Sequence, residues 1–338
     1  MTRRLPSPRH RTWSLAAAPL AAALALALLA AGCGPAPTNR FTYGGLPGQP
    51  YSVSESQGEV VGGRLYSFGG FDSQKPCCTP TDRAYRYTPG SGWTALRNMP
   101  NKGVTHAGMT TDGTNIFYAG GYIANAAWTG QIFGTKAVWR YNVAADTYTS
   151  LPGLPLERAG GQLEYLNGWL HFFGGTNRAR TADVTEHWAL QLSNTAAGWR
   201  PRAPITDGRH HMGSAVLGGK IYAIGGQHAH DDHLMTRGTV EAYDPATDRW
   251  TTRASLPRPR GHISSSTFVL SGRIVVAGGE ISHGTRIADV NAYDPGSNSW
   301  VSLTPLPQTK ASGVAGPFEG GFLYSGGGWK GGWRAHPA

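Results

Sequence analysis

Short apolar runs closed by paired glycines recur along the chain: GGRLYSFGG, TNIFYAGG, NGWLHFFGG, GGKIYAIGG, SGRIVVAGG and EGGFLYSGG. The pairs begin at Gly69, Gly120, Gly174, Gly225, Gly278 and Gly326, at intervals of 51, 54, 51, 53 and 48 residues. Each run follows a turn-forming Gly or Asn, passes through β-branched and aromatic residues and stops at the glycines. That is the pattern of a short buried strand between turns. A second phrase follows each of the first five pairs: AYRYTPGSGW, VWRYNVAADTY, HWALQLSNTAAGW, VEAYDPATDRW and VNAYDPGSNSW. In DPATD and DPGSN, Pro pre-sets φ and Asp, Gly or Asn suits the turn, so these read as hairpins. A further strand starts at the closing aromatic residue, with Pro seven residues on in Trp93/Pro100, Tyr148/Pro155, Trp250/Pro257 and Trp300/Pro307. Helical periodicity is almost absent.

Each repeat is therefore four short antiparallel strands, too small a sheet to bury both faces alone. Stacking the sheets radially buries them and leaves few exposed edges. The double glycine, the later Tyr and the Trp, at a period near 50 residues, resemble the kelch β-propeller family across residues 40–338. The resemblance implies an all-β, six-bladed kelch β-propeller of the superfamily typified by the central domain of galactose oxidase. The expected blades are 52–101, 102–157, 158–208, 209–259, 260–309, and 310–338 joined by 40–50. The sixth repeat stops early, and YGGLPGQP (Tyr43 to Pro50) matches YTSLPGLP (Tyr148 to Pro155) in register. The N-terminal strand is thus expected to close the ring as the last blade's fourth strand, with Trp329 to Trp333 the candidate third.

The start of the chain reads differently. Arg3, Arg4, Arg9 and Arg11 precede an apolar run from Ser14 to Ala31, and Ala31-Gly32 stand directly before Cys33. A basic start, an apolar run and small residues at a cleavage point describe an export signal over residues 1–33, followed by a linker at 34–39. Pro19 and the Ala-rich composition suit a permanent membrane span poorly. The motif at Cys33 resembles the lipobox of bacterial lipoproteins, which implies acylation of the Cys33 thiol and a membrane-anchored protein at the cell envelope. An ordinary secretory signal cut elsewhere, giving a periplasmic or secreted protein, is the other reading. Removing residues 1–32 takes away four Arg and no acid, lowering the formal charge from +10 to +6. No Lys/Arg-rich run tracks a phosphate backbone, so nucleic acid is not expected as a partner. A monomer is expected. The adjacent Cys77 and Cys78 either form a vicinal disulfide or remain two thiols.

The candidate chemistry collects on one rim. In an up-and-down blade the start of strand 1 and the end of strand 2 lie on the same face. The stretch GGQHAHDDHLMTRG, with His228, His230, His233, Asp231 and Asp232, therefore joins the loops that precede each strand 1. In those loops Arg158, Arg209, Arg260 and Lys310 stand three residues past the Pro-type position, with Lys102 one step early and Val53 breaking the series. A basic residue repeated round one rim concentrates positive potential at the channel mouth. The kelch resemblance implies that such residues contact acidic ligands; the alternative is that each Arg bonds carbonyls of the neighbouring blade. His106, His210, His211, His262 and His283 add imidazoles on the same rim. The expected ligand-binding set is Lys102, His106, Arg158, Arg209, His210, His211, His228, His230, Arg260, His262 and Lys310. Imidazole and guanidinium suit sugars, carboxylates, phosphates or divalent metals. The i, i+2, i+5 spacing of His228, His230 and His233 fits no familiar zinc pattern, so no metal or other cofactor is expected.

Two catalytic relatives bear on this. Galactose oxidase needs copper held by His and Tyr and a Tyr joined to a Cys, a role that Cys77 or Cys78 would have to fill. Its ligand motifs are not matched here. The exported bacterial sialic-acid mutarotase, also a six-bladed kelch protein, is similar in blade count, export and basic rim. No acid/base pair stands out; Glu157, Glu241 and Glu280 are candidates by type and place alone. No nucleophile elbow or phosphate loop is present. The sequence thus points to an exported, lipid-anchored propeller that binds a protein or a carbohydrate or other anionic ligand on the rim of 2–3 and 4–1 loops. The alternative is a sugar or sugar-acid enzyme of mutarotase or epimerase type, with a metal-dependent oxidase third.

Overall fold

The computed structural model describes residues 1–2 and 38–338; the expected export signal and Cys33 lie outside the described residues. Each apolar run forms the second strand of a four-stranded antiparallel sheet, and six such sheets ring an axis. Blade 1 is Gln57–Val61, Arg64–Phe68, Ala84–Thr88 and Gly92–Ala95; blade 2 is Gly108–Thr111, Asn115–Ala119, Val138–Asn142 and Thr147–Leu151. Blade 3 is Gln162–Leu166, Trp169–Phe173, His187–Gln191 and Arg200–Arg202; blade 4 is Gly213–Leu217, Lys220–Ile224, Val240–Asp244 and Arg249–Thr252. Blade 5 is Thr267–Leu270, Arg273–Ala277, Val290–Asp294 and Ser299–Leu303. In blade 6, Gly313–Phe318, Gly321–Gly326 and Gly332–Pro337 are completed by Phe41–Leu46 from the N-terminal side, Tyr43 opposite Ala335 and Leu46 opposite Gly332. The ring is closed by the N-terminal strand as expected. The missing third strand starts at Gly332, later than the Trp329 to Trp333 segment suggested. First strands of neighbouring blades pack against each other all the way round, blade 6 against blade 1 included.

The repeated residues hold neighbouring blades together. At Gly69, φ is +59° and a Cβ would lie 1.9 Å from the Val104 carbonyl oxygen of the next blade. Gly70 then donates its N–H to that same oxygen at 2.9 Å. The same bond recurs from Gly121 to Arg158, Gly175 to Arg209, Gly226 to Arg260, Gly279 to Lys310 and Gly328 to Val53. Only glycine tolerates both the conformation and the approach. On the outer strands, indole N–H groups reach back to the preceding blade: Trp93 to Pro47 O, Trp199 to Pro152 O, Trp250 to Ala203 O and Trp300 to Ala254 O, all at 2.8–2.9 Å. Buried Tyr141, Tyr243 and Tyr293 donate to Asp146, Asp248 and Asn298, the turn residues of their own hairpins. Those turn residues in turn accept N–H bonds from Arg97, Ala203 and Ala254 of the blade before. Apolar side chains fill the spaces between sheets, as where Ile224 and Val240 of blade 4 meet Val276 and Tyr293 of blade 5. Cys77 and Cys78 form a disulfide in the long loop of blade 1.

Candidate functional site at the axial mouth

The chain approaches each first strand alongside residues just beyond its own blade's double glycine. Val53–Ser54 pairs with Phe71–Asp72 and Arg158–Ala159 with Thr176–Asn177, while His210 bridges Gln227 and Gly261 bridges Glu280. The next residue then adopts left-handed backbone in all six blades: Glu55 (φ 54°), His106 (57°), Gly160 (66°), His211 (52°), His262 (55°) and Ser312 (57°). Five of these are not glycine, a concentration of backbone strain that proteins reserve for sites where side chains must be held in place. Main-chain bonds link His106, Gly160 and His211 in series and His262 to Ser312. Gly160 N–H donates to His106 O, His211 N–H to Gly160 O and Ser312 N–H to His262 O, while the Thr105 hydroxyl donates to Glu55 O.

The side chains of this ring meet at the mouth. Glu55 lies 3.8 Å from His106 Nε2 and 3.4 Å from His262 Nε2, and Ser312 Oγ donates to it. The His211 ring packs at 4.7 Å from His106 and 4.4 Å from His262. From His211 the imidazoles continue outward: His211 contacts His210 through their Nδ1 atoms, and His210 stacks on His230 at 4.2 Å. His230 lines a cleft of about 580 Å³ between the long loops of blades 3 and 4, together with Arg180, Asp183, His228, Asp231 and His233. A file of five imidazoles therefore links an open cleft to the axis.

Burial shapes the charges here. It lowers His106 and His230 to about 4 and pushes His210 and His211 well below the usual imidazole range, so all four are neutral near pH 7. Burial also pushes the Glu55 carboxyl up. His262, His106 and the Ser312 hydroxyl outweigh it and hold Glu55 below the ordinary range, as an anion.

The expected site residues divide into three groups. His106, His210, His211, His230 and His262 come together as described. His228 sits beside them in the cleft, 2.8 Å from Asp207. His233 is exposed, its N–H donates to His230 O at 3.1 Å, and the three imidazoles form no group of converging ligand atoms among the described residues. Arg209 and Arg260 are wholly buried and cannot meet a ligand. Arg209 binds Glu241 at 2.6 Å and the carbonyls of Ala223 and Gly225; Arg260 binds Asn291 and Val276 O. These partners belong to the same blade, so each Arg ties its loop to its own strands 2 and 3. Glu241 is thus sequestered from solvent. Arg158 is buried against Glu186 at 2.7 Å, and Lys310 lies over the Trp329 ring at 4.2 Å. Lys102 points to Asn125 O, and Val104 fills the series position of blade 2 because Asn101, Lys102 and Gly103 add a left-handed turn. Of the other acids proposed by type, Glu280 lies 3.8 Å from His262 Nδ1, whereas Glu157 is near Arg178. Glu55, Arg180 and Asp183 were not anticipated. Glu55 could have been found by counting two residues past Val53, as His211 stands two past Arg209.

Six four-stranded antiparallel blades define a six-bladed β-propeller. Kelch motifs match residues 208–257 and 264–307. The chain is 27% identical over 245 residues to Kelch-like protein terF of Aspergillus terreus, covering 71% of this chain and 52% of that one. Human Kelch-like protein 30 is 34% identical over 111 residues, 32% of this chain and 18% of its own length. The chain thus spans about half the length of the first relative and under a fifth of the second. A solved structure titled "Structure of YjhT" superposes with a TM-score of 0.67 at 18% identity, covering 86% of this chain and 95% of the other, a likeness of fold.

Proposed function

We propose that this protein is an exported, lipid-anchored propeller that binds a small polar ligand, a carbohydrate bearing a carboxylate, at the axial mouth. The observation that carries the reading is the cleft between the long loops of blades 3 and 4, whose His230 stacks on the buried His210 at the outer end of the imidazole file. Its lining combines a cation, Arg180, with acceptors and imidazoles that suit hydroxyl groups. Binding is tested by saturation-transfer NMR of the full chain with a panel of neutral and acidic monosaccharides. An acidic sugar is expected to bind, and Arg180→Ala to weaken it about tenfold, the order of one lost charged contact. A panel with no binder removes the reading. Labelling with a fatty-acid analogue is expected to mark the wild type and spare Cys33→Ala; equal labelling of both would remove the anchor.

The contact of Glu55 with two imidazoles favours a second reading, acid/base catalysis on the same sugar. Anomer exchange of a bound sugar followed by NMR separates the two, since a pure binder leaves the exchange rate unchanged.

A further inference from the structure

Hydrogen-bond directions at the mouth leave one question of chemistry open. The Thr105 hydroxyl gives its proton to Glu55 O at 2.8 Å, so at 2.9 Å from His106 Nδ1 it must accept. His106 therefore carries its proton on Nδ1 and turns a lone pair outward on Nε2. His210 Nε2 faces the Ala229 carbonyl at 2.9 Å and must donate, so its Nδ1 accepts from the Nδ1–H of His211. That leaves the lone pair of His211 on Nε2. His262 Nδ1 faces the Glu280 carboxylate at 3.8 Å, while its Nε2 faces Glu55 at 3.4 Å. The lone pairs of His106 and His211 thus converge on the Glu55 carboxylate, and His262 Nε2 adds a third once its proton sits on Nδ1, towards Glu280. Such an assembly suits a cation.

We propose that Glu55, His211 and His262, with His106 as fourth ligand, bind one divalent transition-metal ion. Glu55, His211 and His262 each offer a ligand atom within 4.8 Å of the other two. The 3.4 Å between Glu55 and His262 matches the spacing of about 3.4 Å expected between donors tetrahedrally placed at roughly 2.1 Å from a metal. Neutral nitrogens with one carboxylate suit ions of borderline softness such as zinc, iron(II) or copper(II). His106 and His211 are oriented through their other nitrogens, by Thr105 and His210, the support that metal-binding histidines require, while His262 Nδ1 faces the Glu280 carboxylate at 3.8 Å. The left-handed backbone fixes all four positions from the main chain outward. The neighbouring group of Asp183, His210 and His230 fits less well, because His210 Nε2 already donates to Ala229 O.

The ion goes beyond the ligand proposed above and is tested without it. The full chain, stripped with EDTA, is titrated with Co²⁺ and the visible d–d absorption followed, with Zn²⁺ as competitor. One equivalent is expected to bind and to be displaced by zinc. Glu55→Gln and His262→Gln are each expected to weaken binding tenfold or more, and His336→Gln, remote from the ring, to leave it unchanged; circular dichroism checks folding. X-ray absorption of the cobalt-loaded wild type is expected to show at least two imidazoles, a readout that no variant's folding can spoil. A wild type without the absorption band, fewer than two imidazoles, or binding that survives both substitutions overturns the site. Loss in Asp183→Asn with binding intact in Glu55→Gln also overturns it. A negative sugar screen leaves this result untouched.

Discussion

Carboxyl groups facing the axis carry the cost of a closed ring. Glu164, on the first strand of blade 3, is buried beside the hydroxyls of Ser214 and Thr110, the latter at 3.3 Å, and burial pushes its pKa up to about 7. Glu59, in the same narrow channel, is pushed well above the usual range by burial and by Glu164. A carboxyl raised in the fold stabilises fully below its unfolded value, near 4.5, and that stability is lost as pH rises through about 7. Glu164→Gln is therefore expected to leave the melting temperature unchanged at pH 5 and raise it at pH 8.5, by an amount on the order of 3 kcal/mol in stability. An equal shift at both values would show that the carboxyl is not held neutral. Buried imidazoles work in the other direction. His171 and His187, lowered to about 3 and 4 by burial, favour the fold above pH 6.5, and that contribution is lost as pH falls through those values. The two ranges overlap between pH 4.5 and 6.5, where the carboxyl and imidazole contributions oppose each other.

The double-glycine turn was legible as a strand end, yet its role is a contact between elements. Gly69 and Gly90 share positive φ, +59° and +79°, but only Gly69 faces a backbone oxygen; around Gly90 a Cβ meets nothing. Gly90→Ala is expected to cost about 1 kcal/mol, the price of left-handed backbone alone. Gly69→Ala must in addition push Val104 away and is expected to cost several kcal/mol more, in the range of severe substitutions. Urea unfolding midpoints compare them, and equal losses would deny that the blade junction decides. The same distinction explains the misplaced arginines. The repeat offset of Arg209 and Arg260 was plain in the sequence, but whether a side chain there points to solvent or inward depends on partners from strand 3, Glu241 and Asn291. Those partners lie 31 or 32 residues away.

At the scale of the molecule, stability rests on closure. Phe41 packs on Phe322 at 5.6 Å, and Phe41–Leu46 covers the edge of the last blade. Deleting Phe41–Leu46 from the full chain would expose that edge and the cluster of Phe322, Tyr324 and Trp333. The deletion is expected to replace a single sharp melting transition with a broad one and to make blade 6 the first site of limited proteolysis. An unchanged melt would show that the ring does not depend on its seam.

What the amino-acid order determined by itself is whatever repeats. Glycine pairs, hairpin turns, tyrosines and tryptophans return near every 50 residues, so six blades, their antiparallel order and the closing strand could be read from one chain. Local backbone preference and the alternation of apolar residues are properties of neighbours in sequence, and repetition reinforces them. The mouth is the opposite case. Glu55, His106, His211, His262 and Ser312 occupy one repeat position but carry a carboxylate, imidazoles and a hydroxyl, and Glu55 and Ser312, 257 residues apart, touch only because the ring closes. The cluster HAHDDH drew attention to His228, His230 and His233 alike, while folding joined His230 to His210. Which side chains meet was decided by blade geometry and left-handed backbone, and tertiary structure alone brings those together.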